Sequence, residues 1–351
     1  MILFKYKGVH CVVDGQFGST GKGALAAYLA HQAMRTGAVV NFHGSIYSGG
    51  PNSGHTFYHN KNKHVLKQLP TFSTYLSLNN VVVPAYLSAG AVIDRDILQR
   101  EAETYPNLPI FVHPNAAIIT DEDRKAEEQG SIAEVAGTRS GTGMALARKI
   151  MREPAAIAAH SLGRLATNVV LQNHRMKPER NAYFMEVAQG FSLGINSHFY
   201  PKVTSRECTV MQGLADARIP PRHLSNTYMA IRTFPIRVGD VDGHSSGTWY
   251  SDQYETSWNR IGVEPEITTV TKRIRRVASF SMDQFFDACH ANDPDVVFIS
   301  HMDYLNEEYQ ETFLEYIQSA RANMNKHFSI LVAKGPMVDD VKKEEDVYAE
   351  E

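Results

Sequence analysis

The chain has 351 residues, a formal net charge of −3 and three scattered cysteines, Cys11, Cys208 and Cys289. That length can bury a large core, as one big α/β domain or two smaller ones, and the weak charge gives no sign of a nucleic-acid-binding surface. The cysteines are too few for a disulfide framework or a zinc site, and no run is long and apolar enough to span a membrane, so a reducing, cytoplasmic setting fits best.

In chain order, the start Met1-Ile2-Leu3-Phe4-Lys5 lacks the apolar stretch of a signal peptide. Apolar, β-branched runs then predict buried strands at Val9–Val13, Ala38–Phe42, Asn80–Pro84, Ile110–Val112, Ala182–Glu186, Tyr228–Arg232, Asp295–Ile299 and Phe328–Ala333. Helical spacing lies between several of them, at Gly23–Arg35, Asp94–Glu103, Ser140–Glu153 and Met282–Ala291. Such alternation predicts an α/β fold with a large, mostly parallel central sheet flanked by helices. Residues 239–266 are weakly periodic and are expected to form loops over a site. Residues 1–340 are expected to form one catalytic domain, and 341–351 an acidic, solvated tail.

The first strand runs into Asp14-Gly15-Gln16-Phe17-Gly18-Ser19-Thr20-Gly21-Lys22-Gly23, followed by a helical segment. Backbone N–H groups of a glycine turn, a helix N-terminus and a lysine together make an anion site, so the chain is expected to handle a nucleotide. The spacing departs from the common phosphate loop: five residues separate Gly15 from Gly21, and Gly23 stands where a Ser or Thr would bind Mg²⁺. A standard kinase or ATPase is therefore a poor match. Later segments also carry polar, chemistry-bearing residues: Asn52-Ser53-Gly54-His55-Thr56, Gly137-Thr138-Arg139-Ser140-Gly141, Glu186-Val187-Ala188-Gln189-Gly190, Tyr200-Pro201-Lys202-Val203-Thr204-Ser205, Arg237-Val238-Gly239 and Val270-Thr271-Lys272-Arg273-Ile274-Arg275-Arg276. Taken singly, these are more often turns, helix caps or solvated basic faces than ligand sites.

Taken together and in this order, the segments resemble adenylosuccinate synthetase. The family's GQWGDEGKG is here GQFGSTGKG, its NAGHT is NSGHT, its YPYVTS is YPKVTS, its EGxQG is EVAQG and its TTGRRRR is VTKRIRR. The resemblance spans about Val9 to Pro336 and implies a P-loop NTPase-like adenylosuccinate synthetase fold. It also implies a ligase that phosphorylates the 6-oxygen of a purine nucleotide and then lets the amine of aspartate displace the phosphate.

By this resemblance Ser19, Lys22, His55 and Gln189 take the catalytic positions. Gly18, Thr20, Gly21, Lys22, Gly23, Gly54, His55, Thr56, Asp303 and Gly335 would hold the triphosphate. Ser19, Asn52, Thr138, Ser140, Gln189, Thr204, Val238 and Gly239 would hold the acceptor nucleotide, with Arg152 reaching the neighbouring site of a homodimer. Val270, Thr271, Arg273 and Arg275 would hold aspartate, whose carboxylates suit arginine's planar fork. Mg²⁺ would sit at Ser19 and the Gly54 carbonyl.

Several departures shift the reading within the family. Ser19 replaces an aspartate that accepts the N1 proton of inosinate, and a serine leaves room for a 2-amino group. This pattern looks like the phage branch, which condenses dGMP with aspartate to make a diaminopurine nucleotide precursor. The proton acceptor is then open between Asp14, which stands where the family has glycine, the phosphate oxygens and a water. Ser300-His301-Met302-Asp303 replaces Thr-Lys-Leu-Asp, so ATP or dATP becomes a candidate donor in place of GTP. Pro51 for histidine, Lys272 for glycine and Ile274 for arginine are further departures. The rival readings are an ordinary adenylosuccinate synthetase using IMP, a catalytically inactive nucleotide-binding regulator, and a nucleotide kinase.

Overall fold

In the computed structural model, residues 4–129, 137–241, 243–268 and 272–347 are described. Ten strands form one sheet: β1 Gly8–Asp14, β2 Phe42–Ser48, β3 Ala85–Leu87, β4 Ile110–Val112, β5 Val169–Leu171, β6 Ala182–Val187, β7 Leu224–Arg232, β8 Val296–Ser300, β9 Ser329–Ala333 and β10 Val341–Lys343. Their spatial order is β10-β9-β8-β7-β1-β6-β2-β3-β4-β5. Every neighbouring pair is parallel except β9 and β10, which are antiparallel.

All seven residues of β1 are buried, as a central strand covered on both faces requires. Alternate side chains serve opposite faces. Val12, Tyr228, Ala230 and Phe298 join one apolar layer with helix α1, Lys22–Arg35. Cys11, Val13, Met229, Ile231 and Ile299 join the other layer with Phe285, Leu314 and Ile317. The three cysteines are buried and unpaired.

Most predicted elements stand within a residue or two of their expected bounds, and the departures have local causes. Ala38–Asn41 is a 3-10 turn, not strand; Gly37, at φ 74, turns the chain, and Val40 is 80% exposed. The strand that follows, β2, carries Gly44, Ser45 and Ser48 and so lacks an apolar signature. It needs Gly44 because a Cβ there would lie 2.2 Å from the Tyr86 ring. Asn80–Pro84 leads into β3 instead of forming a strand; Asn80 is left-handed at φ 59, and the Pro84 carbonyl accepts from Ser45 N at 2.8 Å. The helix expected over 140–153 is Thr142–Ile150, started by left-handed Gly141. Val341–Lys343, placed by sequence at the start of a solvated tail, instead forms the antiparallel edge strand β10.

Parallel strands bring their carboxyl ends to one edge, where ligands bind in such sheets. Here that edge carries Asp14, Ser48, Val187, Arg232 and Ser300. Glycine permits the closest approach. A Cβ on Gly23 would meet the Thr56 carbonyl oxygen at 2.3 Å, so the first turn of α1 lies directly on the hairpin His55–His59/Asn62–Leu66. Gly23→Ala is therefore expected to cost about 1–3 kcal/mol, read as a lowered midpoint of urea unfolding; an unchanged midpoint would contradict this packing.

Candidate active site

Gly18 and Gly21 are left-handed at φ 94 and 83, and Ser19 at φ 56 shares that conformation. The loop so formed wraps a buried carboxylate. Asp14 Oδ1 accepts from Gln16 N at 2.9 Å and Gly18 N at 3.1 Å; Oδ2 accepts from Thr20 Oγ1 at 2.6 Å and Lys22 Nζ at 2.8 Å. Lys22 Nζ also donates to the Gln189 carbonyl at 2.7 Å. The Asp14 side chain is fully buried and lines none of the cavities described below. Of the three sequence-stated proton acceptors, Asp14 is thus sealed behind the loop.

Three cavities meet around this loop. The largest, about 480 Å³, is lined by Ser19–Ala24, Gly54–Thr56, Glu266, Arg275, Ser300, His301, Asp303, Tyr304, Gly335 and others. A second, about 120 Å³, is lined by Phe17–Ser19, Lys22, Asn52–His55, Thr138, Gln189, Val238, Thr268 and Arg275, among others. A third, about 140 Å³, shares Asn52, Thr138, Gln189 and Val238 with the second and adds Thr204, Lys202 and Arg237. Ser19, Lys22, Gly54, His55 and Arg275 line both the first and the second, so they form the junction between them.

His55 is buried at that junction. Its Nδ1 lies 2.9 Å from Glu186 Oε2, while Glu186 Oε1 accepts from Phe72 N at 2.9 Å. A carboxylate accepts, so Nδ1 carries a proton toward Glu186. Nε2 is buried and has no hydrogen-bond partner among the described residues. A buried nitrogen so placed costs free energy unless a ligand meets it.

Ser19 is held from two sides. Its hydroxyl accepts from Arg275, and its carbonyl accepts from Arg232 Nη1 at 3.2 Å. Arg232, wholly buried, is paired with Glu266, which also accepts from Tyr304 Oη at 3.1 Å. Burial alone would raise the Glu266 carboxyl, but Arg232 outweighs it, with Arg275 adding to the pull, and holds it down at about 2. Burial and the nearby Arg232 lower the His301 imidazole to about 3, so it lines the large cavity as a neutral ring. In the smaller cavities Arg237 lies 4.5 Å over the Phe17 ring, which packs on Phe199, Trp249 and Tyr250.

Sequence-expected residues that stay outside these three cavities have identifiable positions. The Ser140 hydroxyl lies 3.1 Å from that of Thr138 and 3.0 Å from that of Thr142. Gly239 packs against the backbone of Ile274, and Arg273 reaches the Asp240 carbonyl at 3.4 Å. Arg152, left-handed at φ 63, is exposed just past the helix Thr142–Ile150, beside exposed Ile150 and Met151. Val270 and Thr271 lie outside the described residues. Lys272 keeps, at φ 55, a left-handed backbone that suits the family's glycine. Sequence reasoning gave no role to Glu186, Arg232 or Glu266. The first two carried a signal: each is a lone charge in an apolar strand and so needs a partner.

Comparison with known proteins adds an independent line. The family model for adenylosuccinate synthetase matches residues 11–165 and 156–312. The N6-succino-2-amino-2'-deoxyadenylate synthase of Vibrio phage phiVC8 is 35% identical over 358 residues, covering 97% of this chain and 99% of that protein. The adenylosuccinate synthetase of Pyrococcus sp. (strain ST700) is 26% identical over 304 residues, covering 85% and 84%. The solved structure of cyanophage S-2L succinoaminodeoxyadenylate synthetase (PurZ), described as bound to dGMP and dATP as an energy donor, is similar at a TM-score of 0.83 and 31% identity, covering 99% of both chains. With a family model matched over most of the chain and a relative 35% identical over nearly its full length, the chain belongs to the adenylosuccinate synthetase family.

Proposed function

We propose that the chain is a ligase that condenses dGMP with L-aspartate, driven by ATP or dATP, through a 6-phosphoryl purine, to give N6-succino-2-amino-2'-deoxyadenylate. The observation that carries this reading is the junction, where one lysine and one histidine face both a large and a small cavity. The near-full-length likeness to phage synthases, and to a structure described with dGMP and dATP, supports the choice of substrates.

In this reading the large cavity takes the triphosphate and the two smaller ones take the acceptor nucleotide. Backbone N–H groups around Gly21 and the N-terminus of α1 neutralise phosphate oxygens. Lys22, at the junction, follows the phosphoryl group from donor to the purine 6-oxygen, a transfer that needs charge neutralisation and alignment rather than a covalent enzyme intermediate. His55 Nε2 serves as proton donor or charge partner on the phosphate side, and Glu186 fixes its orientation. Gln189 orients the purine, and Asn52, Thr138 and Thr204 hold the 5′-phosphate. With Asp14 sealed, the N1 proton leaves to a phosphate oxygen or a water. The neutral His301, in place of the family's lysine, supports an adenine-type donor. The aspartate amine then attacks carbon 6, the bond from carbon 6 to its oxygen breaks, and phosphate departs with the proton the amine gives up.

Arg275, whose guanidinium donates to the Ser19 hydroxyl, takes an aspartate carboxylate. The donors present suit Mg²⁺ carried on the triphosphate. The Gly54 carbonyl and the Ser19 hydroxyl would each offer the ion one oxygen, and among the described residues no cluster of three His, Cys, Asp or Glu side chains forms a cage. Arg152, exposed and lining none of the three cavities, acts in the neighbouring site of a homodimer.

The substrate test is phosphate release with Mg²⁺, ATP or dATP, and aspartate. Aspartate-dependent release with dGMP, at a rate well above that with IMP, is expected; release with IMP alone would return the chain to ordinary adenylosuccinate synthesis. In the same assay His55→Ala is expected to lower turnover by about 10²–10⁴ while dGMP still binds, and near-normal turnover would remove His55 from the chemistry. For the dimer, mixing Arg152→Ala with His55→Ala subunits is expected to restore part of the activity that each lacks alone. A mixture no more active than its parents would contradict a shared site.

A further inference from the structure

Two positions of the glycine loop depart from the family pattern in opposite senses. The pattern has glycine at position 14 and, in GQWGDEGKG, an acid at position 20; this chain has Asp14 and Thr20. The loop brings these two side chains together. The Thr20 hydroxyl donates to Asp14 Oδ2 at 2.6 Å, and Lys22 Nζ donates to that same oxygen at 2.8 Å. Asp14 and Thr20 are both buried, and Asp14 is the acid that pairs with Lys22. The side chain at position 20 therefore points at the spot where the lysine finds its acid, and an acid placed there would stand within reach of the same ammonium.

Both oxygens of Asp14 are committed. Oδ1 accepts from Gln16 N and Gly18 N, while Oδ2 takes the hydroxyl and the ammonium. An amide has one oxygen and cannot serve both sets. We propose that Asp14 is a positioning residue that acts through Lys22 from the end of β1, in place of an acid at position 20, and that one acid at either position suffices. Held between this carboxylate and the Gln189 carbonyl at 2.7 Å, the ammonium is aimed at the junction of the cavities before any phosphate arrives. Such alignment is what phosphoryl transfer asks of a lysine. The kinetic part of this inference rests on the ligase reading above; the pairing does not.

The test is a double-mutant cycle on the full-length protein, Asp14→Asn and Thr20→Asp singly and together, which exchanges the acid between the two positions at nearly constant volume. Urea unfolding reads the pairing without reference to activity. Asp14→Asn is expected to lower the unfolding midpoint, because Lys22 is left buried without its acid, and adding Thr20→Asp is expected to restore most of the loss. Adding Thr20→Asn instead, of the same shape without the charge, is expected to restore none. In turnover, Asp14→Asn is expected to lower kcat about tenfold, within the range seen for residues sharing one partner. KM for the triphosphate is not expected to rise, since the lysine keeps its charge and loses only its anchor; a loop residue of purely structural value would raise it. The exchange is expected to recover most of the lost kcat. A raised KM with unchanged kcat, no recovery on exchange, or equal recovery with Thr20→Asn would overturn the proposal. Should Asp14→Asn fail to fold, a folded exchange variant supports the proposal and an unfolded one overturns it. A wild-type chain without aspartate-dependent turnover on any purine nucleotide would defeat the ligase reading, while the unfolding cycle would still read the pairing.

Discussion

One ammonium group holds the site together. Lys22 Nζ bridges Asp14, at the end of β1, and the Gln189 carbonyl, just past β6, while its own backbone begins α1. Two adjacent strands and a helix are thereby tied at the edge of the sheet. Because β1 lies between β6 and β7, whatever these strands carry at their carboxyl ends is brought to the same place. A buried pair of this kind contributes little net stability against an apolar replacement, but losing one partner costs about 3–5 kcal/mol. Its value here is positional, since it fixes a mobile side chain where two cavities meet.

Around that group the site divides by charge. On one side are anion-binding elements, the glycine loop and the N-terminus of α1. On the other, a ladder runs from Glu266 through Arg232 to the Ser19 carbonyl, with Arg275 on the Ser19 hydroxyl. Stability that Glu266 gains from Arg232 is present above the ordinary carboxylate range and is lost as pH falls toward its folded value of about 2. His55 needs no such ladder. One carboxylate oriented by a backbone N–H suffices to leave its second nitrogen facing the junction.

Much of this was legible in the sequence, for physical reasons. Strands buried on both faces read as continuous apolar runs, as at β1 and β8, and the glycine loop with its lysine announces an anion site. Ordered motifs along one chain identified the family and most residues lining the cavities. Contacts that depend on tertiary approach were not legible. Strand β2 was displaced because Gly44 and its serines carry no apolar signal, although a neighbouring ring needs the glycine. Asp14 was readable as a departure from the family, but whether it faced the substrate or the loop depended on four donors converging on it. Glu266 lay in a stretch read only as loops, and nothing local marked its pairing with Arg232.

The central claim is that the junction carries a phosphoryl group to the purine 6-oxygen, so that this oxygen leaves with the phosphate. The most direct test uses dGMP labelled with ¹⁸O at the 6-oxygen, turned over with aspartate and ATP or dATP, followed by mass analysis of the released phosphate. The account predicts that the label appears in inorganic phosphate in step with product formation. Unlabelled phosphate, with the heavy oxygen found in water or retained on the purine, would contradict it.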